Sequence, residues 1–284
     1  MIQVDNLEYA YPKAAVPTIK GVNFHVADGE IFGFLGPSGA GKSTLQNILT
    51  GMLKGYRGNV YIGNQELRAI QEDFYEEIGV AFEFPNFYSR FTVLENLRFF
   101  GGLYNRKTED PYKLLKMVGL EQHGNTRFSN LSKGMKMRLN FCRALLHDPA
   151  LLFLDEPTSG LDPVNKELLK EVILKKKEEG KTMIVTTHDM QIAEDLCDRV
   201  AFIVNGKIAL IDKPRNLKLQ YGRRKLSVEY KLASTLHCQE FDLDGIGSNM
   251  AFIKLIQEKE IETIHSQETT LGNIFVKVTG KSLA

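Results

Sequence analysis

Over the first 70 residues apolar and polar positions alternate in short runs: IQVDNLEY (2–9), IKGVNFHV (19–26), IFGFLG (31–36) and GNVYIGNQEL (58–67). A period of two, with Val, Ile, Phe and Tyr on one side, predicts strands. From about Asn86 the spacing lengthens. Leu94, Leu97 and Phe100 recur at helical intervals, as do Leu114, Leu115, Val118 and Leu120. Two continuous apolar runs follow, LLFL (151–154) and MIVTT (183–187), of the length and composition of buried strands. The helix between them is marked at both ends: Asp162 suits its cap, Pro163 its first turn and Gly180 its end. Strands alternating with helices predict an α/β fold built on a mainly parallel sheet.

After about Leu217 the pattern restarts with KLSVEY, a helix-like NMAFIKLIQEKE, a strand-like IETIHSQ and a last helix, TLGNIFVKVTG. This predicts a domain over 1–217 and a small C-terminal α+β extension over 218–284, with GRRK (222–225) as the hinge. No internal repeat or low-complexity stretch appears.

Composition changes this picture little. The 284 residues are 43% apolar and 25% charged, with a formal net charge of +1, so the strongly basic balance of a nucleic-acid binder is missing. No nucleic-acid partner is expected. Lys175, Lys176 and Lys177 are followed at once by Glu178 and Glu179, as on a solvated helix face. Cys142, Cys197 and Cys238 share no metal or redox spacing and read as reduced thiols of a cytosolic protein. MIQVDNLEYAYPK is unlike a signal peptide, and no apolar run reaches the roughly 18–20 residues that cross a bilayer. If the chain works at a membrane, another chain must span it.

The candidate chemistry begins at GPSGAGKST (36–44), which lies between the apolar strand IFGFL and a helix with Leu45, Ile48, Leu49 and Met52 on one face. Strand, loop and helix are the context in which G-x-x-x-x-G-K-[ST] binds a nucleoside triphosphate. Gly36, Gly39 and Gly41 let the backbone turn its N–H groups inward, and Pro37, Ser38, Ala40 and Thr44 complete the loop around the phosphates. Lys42 is placed for the β- and γ-phosphates and Ser43 for Mg²⁺. LLFLDEP then sets Asp155 and Glu156 at the end of a buried strand, where adjacent carboxylates are costly unless a cation or a reaction uses them. Asp155 is the candidate Mg²⁺ ligand, and Glu156 the group that polarises an attacking water. His188 follows MIVTT directly, and parallel neighbours end at one sheet edge, so it is expected beside the same phosphate.

These motifs in this order resemble the nucleotide-binding subunit of an ABC transporter, over nearly the whole chain. GPSGAGKST resembles its Walker A loop, LLFLDEP its Walker B strand with the catalytic glutamate, and SGLD (159–162) its D-loop. His188 in TTHD matches the switch histidine and Tyr11 the aromatic that stacks on adenine. The resemblance implies a P-loop NTPase fold with a RecA-like core, an antiparallel β subdomain and a helical subdomain over about 86–147. It also implies ATP and Mg²⁺ as cofactors, separate transmembrane permease subunits, a second ATPase protomer that completes a homodimer, and a place on the cytoplasmic face of the cell membrane.

LSKGM (131–135) falls where the family has its LSGGQ signature. Ser132 and Gly134 match, while Lys133 and Met135 replace a glycine and the glutamine. Ser132 is also suited to cap the following helix and offer its N-terminus to an anion. In the family that anion is the γ-phosphate held by the other protomer of a head-to-tail dimer. Glu83 in AFEF stands where the Q-loop usually has glutamine; it keeps an oxygen for Mg²⁺ or water and adds negative charge near the γ-phosphate. FPNFYSRF (84–91) follows, with Phe84, Phe87, Tyr88 and Phe91 open to two readings, core filling or a groove for a helix of the membrane partner. The tail TTLGNIFVKVTGK resembles the closing segment of drug and polysaccharide exporters, with Asn273 at a usually acidic position, and favours export of an unidentified cargo.

Other readings compete. A soluble ABC ATPase acting on ribosomes or DNA usually carries two cassettes or a large insertion, and an importer subunit would share the ATP site. A P-loop GTPase would need the aspartate that NKEL (165–168) lacks.

Overall fold

The computed structural model describes residues 1–222, 225–232, 235–267 and 269–281. Two compact units divide between Lys213 and Pro214. Of the expected hinge GRRK, Arg223 and Arg224 lie outside the described residues.

The first unit opens with β1 (Ile2–Tyr9), β2 (Ile19–Val26), β3 (Ile31–Leu35), α1 (Lys42–Leu49), β4 (Arg57–Ile62) and β5 (Gln65–Glu66). The short α2 (Phe74–Glu77) leads into β6 (Ile78–Ala81), and three helices follow: α3 (Val93–Gly101), α4 (Pro111–Met117) and α5 (Lys133–Leu145). The unit ends with β7 (Leu151–Asp155), α6 (Pro163–Glu178), β8 (Thr182–Thr187), α7 (Met190–Leu196), β9 (Arg199–Val204) and β10 (Lys207–Asp212). Among these, β6, β9, β10 and α7 were not expected as separate elements from the apolar pattern.

Two sheets form. An antiparallel sheet runs β2-β1-β4-β5, and a six-stranded sheet runs β10-β9-β3-β8-β7-β6, in which all neighbours are parallel except β10 and β9. Phe24 of β2 meets Phe32 and Phe34 of β3, with ring centroids 5.1 to 5.7 Å apart, so aromatic packing joins the two layers. Every residue of β3 is buried, because the strand lies inside the sheet with both faces covered.

The register positions the chemistry. Leu35 lies opposite Thr187, and Asp155 lies opposite Thr186, so β3, β7 and β8 end together at one sheet edge. Parallel order is the physical reason that three motifs far apart in sequence meet. The helix ends follow local rules as expected: Asp162 accepts the Asn165 N–H at 3.1 Å, Pro163 opens α6, and Gly180 follows its end at φ 87°.

The second unit contains α8 (Pro214–Tyr221), β11 (Lys225–Leu232), β12 (Thr235–Asp242), α9 (Met250–Glu258), β13 (Glu260–Gln267) and α10 (Leu271–Thr279). Residue 217, the expected boundary, falls inside α8. Its sheet is antiparallel in the order β12-β11-β13, around a small core of Val228, Phe241 and Leu255. β12 was not expected: in TLHCQEFD only Phe241 is buried, so a solvated edge strand leaves no alternation to read.

Candidate functional site

A cleft of about 280 Å³ opens at the shared strand edge. Ser38, Gly39, Ala40, Gly41, Lys42, Ser43 and Thr44 line it from the loop between β3 and α1; Glu83, Asp155, Glu156 and His188 line it from the other strand ends. Gly41 caps α1 at φ 109°, a backbone conformation open to glycine and strained for other residues. At Gly36 the reason is space, since a Cβ would stand 2.3 Å from the Ile203 carbonyl oxygen. Gly36 and Pro37 do not line the cleft, yet they hold its cation: Lys42 Nζ donates to their carbonyls at 2.6 and 3.2 Å.

Burial pushes the Lys42 ammonium below its ordinary pKa, against the pull of Glu156, Asp155 and Glu83. The same burial raises the Asp155 carboxyl; the hydroxyl of Thr186, donated to its Oδ1, works the other way, and Glu83 and Glu156 add to the rise. Three carboxylates therefore face one lysine. Such a site is short of positive charge.

Glu156 is buried and has φ 47°, an uncommon conformation for a residue with a side chain. Its Oε1 accepts the backbone N–H of His188 at 3.0 Å and lies 2.7 Å from His188 Nδ1. A carboxylate only accepts, so Nδ1 carries the proton. Acid and histidine thus form one bonded pair in the cleft.

Glu83 reaches the cleft from the loop after β6, and α5 anchors that loop. Asn140 Nδ2 donates to the Phe82 carbonyl at 2.7 Å, and Arg143 Nη1 to the Asn86 carbonyl at 2.9 Å. Arg143 also lies over the rings of Phe82, Phe87 and Phe100 at 4.9 to 5.7 Å. The aromatics after Glu83 divide. Phe87 is buried against Phe100 and Phe128, whereas Phe84, Tyr88 and Phe91 are exposed, the last two in contact with exposed Phe99.

Besides Gly36 and Pro37, two further groups of candidates lie outside the cleft lining. Ser132 caps α5, accepting the Met135 N–H at 3.2 Å. Gly134 packs beside Leu161, and the Lys133 side chain lies across Gly160, so LSKGM rests on SGLD of its own chain. Tyr11 is tied to the cleft by one bond, its hydroxyl 3.1 Å from Thr44 Oγ1, and its ring stands edge-on to Tyr9. The cleft also takes in Ser159, the first residue of SGLD, and Thr18, which no motif singles out. Thr186 and Thr187, next to His188, bond the two catalytic-strand carboxylates; their place at a strand end beside a candidate residue was the available signal.

Comparison with known proteins agrees with this geometry. Residues 19–159 match the ABC transporter family, and residues 224–268 match the fluoroquinolone efflux ABC transporter C-terminal domain. A fluoroquinolones export ATP-binding protein of Mycobacterium tuberculosis is 49% identical over all of this chain and 94% of its own length. The linearmycin resistance ATP-binding protein of Bacillus subtilis is 34% identical over all of this chain and 99% of its own. Among solved structures, a dimeric ATP-binding cassette in a post-hydrolysis state, bound to ADP and Pi, superposes with a TM-score of 0.69 at 29% identity, covering 75% of this chain and 98% of that one. Sheet order, phosphate loop and full-length likeness lead to one assignment: this chain belongs to the ABC transporter family, as an ATP-binding, ATP-hydrolysing subunit of the export type.

Proposed function

We propose that the chain hydrolyses ATP at a site shared between two copies of itself and thereby drives export through separate membrane subunits on the cytoplasmic face of the membrane. One observation carries this reading. Lys42, Ser43, Glu83, Asp155, Glu156 and His188 line a single cleft, while Ser132 and Gly134 present a capped helix start elsewhere on the same unit. A second copy supplies that helix start to the γ-phosphate, and Tyr11 takes the adenine. Met1–Lys213 is the catalytic unit in this account, and the C-terminal unit is accessory.

Within the site, Lys42 draws charge from the β- and γ-phosphate oxygens. Water adds to the γ-phosphorus as the bond to the β–γ bridging oxygen breaks, and ADP departs with that electron pair. Glu156 takes the proton of the water, and His188, bonded to Glu156, orders it beside the γ-phosphate. The donor set fits Mg²⁺: Ser43, Glu83 and Asp155 are hard oxygen donors, and the cleft lacks positive charge. Among the described residues no three His, Cys, Asp or Glu side chains form a metal cage, which suits an ion that takes its other ligands from phosphate and water. When bound, Mg²⁺ neutralises charge on the phosphate oxygens.

No helix among the described residues is long and apolar enough to cross a membrane; in this reading the separate membrane subunits form the cargo path. Exposed Phe84, Tyr88, Phe91 and Phe99 form the surface that such a partner would cover. Full-length likeness to a fluoroquinolones export protein makes drugs of that class the first cargo to test. Glu156→Gln should retain ATP binding, lose about 10²- to 10⁴-fold in turnover and accumulate an ATP-dependent dimer on gel filtration. Turnover near wild type removes Glu156 from the reaction.

A further inference from the structure

Two threonines end β8, and two carboxylates end or follow β7. The Thr187 side chain is wholly buried, and its Oγ1 lies 3.0 Å from both Glu156 Oε2 and the backbone N of Asp189. An N–H only donates, so Thr187 Oγ1 accepts from Asp189 and its own proton goes to Glu156 Oε2. Glu156 Oε1 already takes two donors from His188. With about two acceptor positions on each carboxylate oxygen, one is left, on Oε2 beside the Thr187 bond. The Glu156 backbone, at φ 47°, is held by a bond from its N–H to the Thr186 carbonyl at 2.9 Å. Residues 186–188 thus secure Glu156 at its backbone and at both carboxylate oxygens.

We propose that Thr187 is a positioning residue for ATP hydrolysis: its hydroxyl holds Glu156 in the orientation that leaves one Oε2 acceptor position for the attacking water. The inference rests on the reading that Glu156 polarises that water. Without the hydroxyl, the carboxylate keeps its His188 bonds and can pivot about them, so Oε2 loses its place while the phosphate loop is untouched. Thr187→Val preserves shape and strand propensity and deletes the hydroxyl; Thr187→Ser restores it.

ATP turnover and KM should be measured for full-length wild type, Thr187→Val, Thr187→Ser and Glu156→Gln. Single-turnover hydrolysis should be compared for Glu156→Gln with and without Thr187→Val. The expected result for Thr187→Val is kcat lowered about tenfold with KM for ATP within about twofold, the pattern of a group felt only in the transition state. Thr187→Ser should return kcat to within about threefold of wild type, and Thr187→Val should slow Glu156→Gln no further than about twofold. The inference is overturned if Thr187→Val keeps kcat within about twofold, if Thr187→Ser is equally slow, or if the loss repeats in full on Glu156→Gln. A rise in KM of more than about fivefold in Thr187→Val also overturns it, by showing a hydroxyl that supports the fold of the binding loop. Glu156→Gln turning over near wild type removes the underlying reading as well; the other results remove Thr187 alone.

Discussion

Arg143 links the last turn of α5 to the loop that carries Glu83, and its removal has a magnitude that follows from its contacts. The guanidinium donates to the Asn86 carbonyl at 2.9 Å and to Asn140 Oδ1 at 3.0 Å, and it lies over three phenylalanine rings. Arg143→Met keeps the aliphatic stem and deletes all five contacts. Two hydrogen bonds are worth about 1 kcal/mol each net, and one cation shared by three rings adds about 1 kcal/mol at this partly exposed place. The sum, about 3 kcal/mol, corresponds to a melting shift of roughly 6–12 °C in a unit of this size. Arg143→Lys should recover little, because an ammonium cannot span both acceptors and the ring faces. Loosening of the 82–87 loop should also displace Glu83, so turnover should fall severalfold even well below the melting point. Urea unfolding and ATP turnover on the same preparations are the assays. A stability change under about 0.5 kcal/mol would refute the reasoning, since it would make Arg143 an ordinary surface cation.

Two further changes test the site and its support. Glu83→Gln restores the residue usual in the family; activity should stay within about tenfold, and the Mg²⁺ titration should move to higher concentration, whereas an unchanged titration places Glu83 outside the metal shell. His147 is wholly buried, its Nε2 2.9 Å from the Ile78 carbonyl and its ring stacked on Tyr104, and burial holds its pKa below the ordinary histidine value. The unfolded chain binds this proton near its ordinary pKa and the folded chain resists it, so the His147 contribution is full above about pH 6.5 and is lost as pH falls toward the lowered folded value. His147→Gln should flatten the stability–pH slope below about 6.5 by up to about 1.4 kcal/mol per pH unit; an unaltered slope rejects the assignment.

The parts of the fold that were legible are those where burial is one-sided or complete. IQVDNLEY and IKGVNFHV alternate because one face of each is packed, and LLFL and MIVTT are continuous because both faces are. β12 was not legible, since seven of its eight positions are exposed and polarity there carries no period. The phosphate-loop chemistry was readable because loop geometry demands glycines at fixed spacing next to Lys42. Its supports were not: Arg143, Asn140 and Thr187 are ordinary residues in a strand and a helix, and only the fold brings them to Glu83 and Glu156. The FPNFYSRF loop shows the limit well. Composition left Phe84 and Phe87 equivalent, yet packing against Phe128 buries one and leaves the other exposed.

The central claim is that LSKGM acts on the ATP of a second copy. Ser132→Arg blocks the α5 start and Lys42→Ala removes the phosphate-loop cation, so each variant paired with itself has two damaged sites. Mixing the two, each also carrying Glu156→Gln to stop turnover, should produce dimers with one doubly damaged site and one intact site. That intact site joins Lys42 of one copy to Ser132 of the other. Copurification of differently tagged chains with ATP and Mg²⁺ is the measurement, against each variant mixed with itself and against the Glu156→Gln parent. The account predicts ATP-dependent capture in the mixture above both self-mixtures. Equal background capture in all three, with the parent dimerising under the same conditions, would contradict a shared site and place LSKGM with its own chain's nucleotide.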